Sequence, residues 1–341
     1  MNVFELTRAL VDIESITGNE ERAGGFLFGY LSQLAERYGG TMERMEVEPH
    51  RFNVLAHWGD PVVTLSTHMD TVPPFFASRE DDEFIHGRAA CDTKGIIASM
   101  IHAADALLAA GGRNLALLFV VGEERNSAGA YHAAAQPRGS KYLINGEPTE
   151  NKLAVGSKGA LRYEIVAHGK MAHSAYPELG DSAIEKLLNA LDRIRQIALP
   201  VDELLGPSTL NIGTISGGRA PNIIPDEARA ELMIRLVGDS HSTKDAIAAA
   251  VADCAEAREV LEIPAVHLGR LDGFEITVVA YTTDIPAFAG TWGQPFLIGP
   301  GTIHVAHTLE ERVPKRQLVE AVEIYQRMVK QLWNQESKSA S

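Results

Sequence analysis

Apolar residues recur at spacings of three and four over Val3, Leu6, Leu10 and Ile13, a pattern that predicts one helical stripe at the start of the chain. Thr17-Gly18-Asn19-Glu20 has the spacing of a capping box and predicts a second helix to about position 38, closed by Gly39-Gly40. Strands are predicted at 42–48, 52–58 and 61–67. The run 62–65 is apolar and β-rich, as in a strand buried within a parallel sheet. A hairpin follows near 78–88 with Glu80-Asp81-Asp82-Glu83 at its turn. The stretch 93–110 is rich in Ala, Ile, Leu and Met and predicts a buried helix ended by Gly111-Gly112. Positions 115–121 and 141–144 read as further strands. Strands alternating with helices predict an α/β class with a doubly wound, mostly parallel sheet. Polar residues gather at the strand C-termini, where such sheets bind ligands.

Near Gly156 the texture changes. An alternating strand at 161–166, a helix at 181–196, strands at 209–216 and 226–237, a helix at 242–256 and a strand at 258–267 follow. This β-α-β-β-α-β order predicts a ferredoxin-like α+β unit. From Phe274 the run 276–280 resumes the first texture, with a helix after Asp284, a strand at 295–298 and a last helix at 315–333. The tail from Gln335 reads as frayed. The expected organisation is therefore a discontinuous α/β domain (1–157 and 272–341) with an inserted domain (158–271).

Composition narrows the function. The 341 residues are 45% hydrophobic and 22% charged, which are globular values, and the length suits two domains. A net charge of −14 argues against nonspecific nucleic-acid binding, which needs a basic surface. No apolar stretch approaches the ~20 residues that span a membrane, and no secretory leader is expected. Two cysteines, Cys91 and Cys254, are too few for a disulfide framework and fit a cytoplasmic location.

Chemistry collects where apolar runs end. His68 and Asp70 lie two apart on a strand and so share a face. A carboxylate there can hold one ring nitrogen of a histidine and leave the other for a metal. Asp92 stands at the entrance of the buried helix, where an N-cap is the plain alternative. Glu123 and Glu124 are adjacent acids at a strand end, and Glu147 ends the next strand. The loop 299–308 brings a distant histidine, His307, with His304 as its competitor. Two histidines and three carboxylates form a mixed N/O set suited to zinc or manganese. They leave one further acid, Glu123.

The stretches T-H-M-D-T-V-P-P, G-R-A-A-C-D-T-K-G, G-E-E, N-G-E-P and G-P-G-x-x-x-x-A-H-T-x-E-E, with G-K-M-A-H-S-A-Y-P-E-L-G-D-S-A-I and P-N-I-I-P-D between them, resemble those of the co-catalytic zinc amidohydrolases. That family includes acetylornithine deacetylase, succinyl-diaminopimelate desuccinylase, aminoacylase and glutamate carboxypeptidase. The resemblance implies two divalent metal ions, zinc first, with cobalt or manganese as substitutes. It implies His68, Asp92 and Glu147 as ligands of one, and Asp92, Glu124 and His307 as ligands of the other. The Ala-His-Thr context favours His307 over His304. Asp70 then orients His68, and Glu123 is the general base. His173 implies a residue reaching the site of a partner subunit, hence a homodimer through the inserted lid domain. Asn222 and Arg235 match positions that hold a substrate carboxylate. A cis peptide between Asp92 and Thr93 is also implied.

The expected activity is hydrolysis of the amide of a small N-acyl amino acid, as in amino-acid biosynthesis by acetylornithine deacetylase or succinyl-diaminopimelate desuccinylase. The alternatives are a dipeptidase or aminopeptidase of the same family, or release of lysine or ornithine from an acidic carrier protein. A noncatalytic binding protein on this scaffold is disfavoured, because all five expected ligands and Glu123 are present.

Overall fold

The structure is a computed structural model and describes residues 1–339. Its first helix, Val3–Val11, buries Leu6 and Leu10, which the apolar stripe predicts, and Val11 beside them. The Asn2 side chain accepts from the Phe4 and Glu5 amides while the Glu5 carboxylate accepts from the Asn2 amide, a reciprocal cap. The Thr17–Glu20 segment forms no such cap. The Thr17 hydroxyl donates to Asp70 at 2.8 Å, and Glu20 receives Arg51 at 2.7 and 2.8 Å. The helix Glu21–Tyr38 therefore starts without a side-chain cap and ends at Gly39 with φ 67°. A long-range hydrogen bond and a long-range ion pair displaced the local motif.

The chain divides into two compact units: residues 1–155, 268–277 and 283 onward, and residues 156–267 with 278–282. The sheet of the first unit runs, from one edge, Thr41–Glu48, Arg51–Trp58, Leu115–Val120, Val63–His68, Tyr142–Asn145, Gln294–Leu297 and Leu153–Ser157. Its four central strands, from Leu115–Val120 to Gln294–Leu297, are parallel, and antiparallel strands flank them. Every residue of Val63–His68 and of Leu115–Val120 is buried, and the second strand is the continuous apolar run expected inside a parallel sheet. The helix Gly95–Ala109 is nearly all buried and opens through a wide turn, Ala90–Lys94.

The second unit carries a four-stranded antiparallel sheet in the order Thr209–Gly217, Glu227–Leu236, Gly159–His168, Glu256–Ile263. With helices Ala183–Arg195 and His241–Val251 this is the ferredoxin-like arrangement. Ala228, Ala230, Leu232, Ile234 and Leu236 line one buried face of the second strand, at the period of two that alternation predicts.

Some boundaries differ from expectation. The helix expected over 242–256 stops at Val251, and the strand expected over 258–267 is two, Glu256–Ile263 and Val266–His267, with Pro264 between. A proline cannot donate to the ladder. The last helix runs from Lys315 to Ser339, beyond the expected 333, so residues 335–339 are helical rather than frayed. Ala340 and Ser341 lie outside the described residues. Ala128–Ala134, a segment without a helical expectation, forms a short helix. Among the described residues no helix is long and apolar enough to cross a membrane.

That short helix needs Gly129. A Cβ there would meet the Val121 carbonyl oxygen at 2.5 Å and the Val121 nitrogen at 2.6 Å, which are backbone atoms of the segment leading into Glu123. Gly129→Ala is expected to lower stability by about 1–3 kcal/mol, the usual effect of overpacking. Urea unfolding of the variant beside the parent measures it.

Candidate metal centre

Four parallel strands end on one edge of the sheet, and each delivers a functional side chain there. His68 closes one strand, and Glu123 and Glu124 follow Val120 on its neighbour. Glu147 follows Asn145, and the segment leading to His307 leaves after Leu297. Asp92 joins them from the wide turn before the buried helix, and its peptide bond to Thr93 is cis.

The side chains converge. His68 Nε2 lies 3.1 Å from Asp92 Oδ1, and His307 Nε2 lies 3.4 Å from Asp92 Oδ2. Asp92 thus presents one oxygen to each histidine. His307 Nε2 also lies 3.0 Å from Glu124 Oε2. His307, not His304, makes these contacts. Donor atoms of His68, Asp92 and Glu124 all fall within 4.8 Å of one another. Glu147 is buried, and its Oε1 has no hydrogen-bond partner. Glu123 stands slightly apart, with Oε2 4.0 Å from His68 Nε2.

Electrostatics fit a cation. Burial drives the Glu147 carboxyl well above its usual range, and Asp92 and Glu123 add to the rise against the pull of His68. Burial likewise raises Glu124, with Asp92 adding and His307 opposing. Hydrogen bonds to Asp92 and Glu124 push the His307 pKa up to about 10. Buried carboxylates packed this closely repel unless positive charge lies among them. Two imidazoles and three carboxylates, one of them with an unpartnered buried oxygen, make a donor set that suits divalent metal.

Asp70 lies against His68 through both its backbone carbonyl and its carboxylate. His68 Nδ1 lies 3.0 Å from the Asp70 backbone carbonyl and 3.5 Å from its carboxylate. The carbonyl is thus the closer acceptor. The carboxylate also receives the Thr17 hydroxyl at 2.8 Å and the backbone amides of Glu123 and Glu124 at 3.1 and 3.2 Å. Asp70 therefore fixes the turn that carries both glutamates.

Sequence reasoning missed Asp284. It is 1% exposed, neither carboxylate oxygen has a hydrogen-bond partner within ordinary geometry, and burial pushes its pKa up to about 7. Asp70 and Glu124 add to that rise, while Ser127 and His68 oppose it. Standing just before a helix, it looks in the sequence like an ordinary cap.

In the second unit His173 and Asn222 are neighbours on paired loops. His173 bridges Ile223, and the Ser174 amide donates to the Asn222 carbonyl at 3.0 Å. Both are exposed. Arg235 is elsewhere. The loops lie beyond the Glu227 end of the strand Glu227–Leu236, and Arg235 is near its other end. At a rise of about 3.3 Å per residue the strand separates those ends by about 26 Å. The Arg235 side chain is half-buried and has no hydrogen bond or carboxylate partner among the described residues. Other arginines of the sheet are paired: Arg162 with Glu231, Arg229 with Glu164 and Glu227, and Arg258 with Glu164 and Glu256.

A peptidase M20 domain-containing protein of Schizosaccharomyces pombe is 41% identical over 341 aligned residues, covering 96% of this chain and 84% of the relative. This chain belongs to the peptidase M20 family. A probable carboxypeptidase of Aspergillus fumigatus is 37% identical over 94% of this M20 chain and 84% of its own. A family profile described as a peptidase dimerisation domain matches residues 155–260. Aminopeptidase PepT of Bacillus cereus shares the fold, with TM-score 0.80 at 20% identity over 97% of this chain and 98% of that one. A dinuclear metal-binding M20 peptidase of Bacillus subtilis does so with TM-score 0.66 at 16% identity, over 95% of each chain. The protein is a hydrolase of the M20 class, acting on peptide-type carbon–nitrogen bonds.

Proposed function

We propose that this M20 protein hydrolyses the amide bond of a small N-acyl amino acid. The observation that carries the substrate class is Arg235, a half-buried guanidinium without a carboxylate partner in a sheet whose neighbouring arginines are paired. A burial cost of this kind is offset when a ligand supplies the anion. The amine half of an N-acyl amino acid carries a free α-carboxylate.

His68, Asp92 and Glu147 would hold one divalent ion in this reading, and Asp92, Glu124 and His307 the second. Zinc is the first choice for such ligands. Bound there, the ions lower the pKa of water and polarise the scissile carbonyl. Glu123 takes a proton from the attacking water and passes it to the departing amine nitrogen, releasing a carboxylate and an amine. Residues 1–157 and 272–341 form the catalytic domain, and 158–271 the dimerisation domain of a homodimer. His173, with Asn222 beside it, supports the carbonyl oxygen from the partner subunit. Cys91 and Cys254 are both free, which fits a reducing cytoplasm.

A second reading is supported by the relatives named carboxypeptidase: removal of one amino acid from a short peptide. Its departing amine also bears a free carboxylate. Zinc-, cobalt- or manganese-loaded protein offered N-acetyl and N-succinyl amino acids beside dipeptides separates the two. Turnover confined to dipeptides replaces the first reading by the second, and turnover of neither overturns both. Under either, Arg235→Ala is expected to raise KM about tenfold to a hundredfold with little change in kcat, since a hydrogen bond to a charged group is worth about 1.5–3 kcal/mol. Steady-state kinetics on the best substrate reads that split.

A further inference from the structure

The motifs that carry the candidate ligands contain a buried ion pair that the reaction above does not use. Arg88 is 2% exposed and Glu311 1%. Glu311 Oε2 accepts from Arg88 Nη1 at 2.5 Å. Its other oxygen, Oε1, accepts from the Asp92 backbone amide at 3.3 Å and lies 3.6 Å from Cys91 Sγ. Arg88 in turn donates to the Thr308 carbonyl at 3.2 Å, next to His307, and to the Pro74 carbonyl at 3.1 Å. The guanidinium stacks 5.0 Å over the ring of Phe76. The Gly87 amide also donates to the Glu311 carbonyl at 3.1 Å.

These contacts join three segments: the one after Asp70, the turn holding Asp92, and the loop holding His307. A buried ion pair is a weak source of stability, because desolvation of both charges roughly cancels their attraction. What this pair does geometrically is tie Asp92 to the loop of His307. Asp92 is the residue whose two oxygens face the two histidines, so its tilt sets where each metal position falls.

We propose that Arg88 and Glu311 are positioning residues that clamp the Asp92 turn to the His307 loop and so fix the spacing of the two metal positions. The inference rests on the dinuclear reading of the site. Loss of such outer partners of metal ligands commonly weakens metal binding or activity 10–100-fold.

The test uses full-length apoprotein titrated with Zn²⁺ in a calorimeter, with kcat and thermal unfolding read on the same samples. Wild type is expected to take up two ions per chain; uptake of one or none overturns the dinuclear reading itself. Glu311→Gln keeps the side-chain shape but satisfies only one of Arg88 and the Asp92 amide. It is expected to bind at least one ion about 10–100-fold more weakly. Wild-type Zn²⁺ affinities in Glu311→Gln, beside a wild type that binds two, overturn the clamp alone.

A second variant separates positioning from mere stability. Arg88→Met with Glu311→Leu removes both charges together, which avoids leaving one buried charge bare. Recovered thermal stability with metal binding still weak upholds the proposal. Recovery of stability and metal affinity together shows that the pair only supports the fold, and overturns it.

Discussion

Glu123→Gln is expected to lower kcat by about 10²–10⁴-fold, the usual worth of a positioned general base, while divalent-metal content stays at the wild-type level. Two adjacent acids serve different ends here. Glu124 turns toward His307 at 3.0 Å, whereas Glu123 Oε2 stops 4.0 Å from His68 Nε2. Both backbone amides are anchored on Asp70, so the turn holds its shape when one side chain changes. Burial raises the Glu123 carboxyl well above its ordinary range, with Asp284 and Glu124 adding to the rise and His68 opposing it. Such a group sits closer to the pKa at which a proton can be taken and returned near neutrality. Metal analysis and kcat on one preparation decide the matter. A kcat within tenfold of wild type excludes Glu123 as the base, and loss of metal reassigns it as a ligand.

His173→Ala is expected to lower kcat by about 10²–10³-fold, as removal of one donor to a developing oxyanion commonly does. His173 Nδ1 accepts from the Ala175 amide at 3.1 Å, an orientation that leaves Nε2 for another partner. The strand Glu227–Leu236 puts the His173 loop and Arg235 about 26 Å apart within one chain, at about 3.3 Å per residue. A small substrate therefore meets both groups only when two copies each supply one. Mixing His173→Ala with Glu123→Ala after dissociation and reassociation gives dimers in which one site regains both residues. Activity returns in those dimers if His173 works across the interface. Verified mixed dimers that stay inactive place His173 within its own chain or outside catalysis.

Much of the candidate site was legible because each residue ends a local element. His68, Glu123, Glu124 and Glu147 close apolar runs whose C-terminal edge follows from parallel pairing alone. Local motifs failed where a distant partner was stronger. Thr17 and Glu20 have cap spacing, yet Asp70 and Arg51 claim them. The Arg88–Glu311 pair was illegible for the same reason, and Asp284 because its burial is set by the fold around it. Glu311 lies 223 positions from Arg88, and no spacing rule connects them.

Sequence alone determined the alternation of strands and helices, the change of texture near Gly156 and the identities of the acids and histidines at the strand ends. These follow from periodicity and short motifs, which act over one or two turns. Tertiary structure alone decided that Asp92 aims an oxygen at each histidine, that the Asp70 carboxylate holds the glutamate turn, and that Arg235 and His173 stand at opposite ends of one sheet. Those facts depend on which segments pack together. A side chain's partner in a buried site is chosen by charge and desolvation across the fold, which residue order does not encode locally.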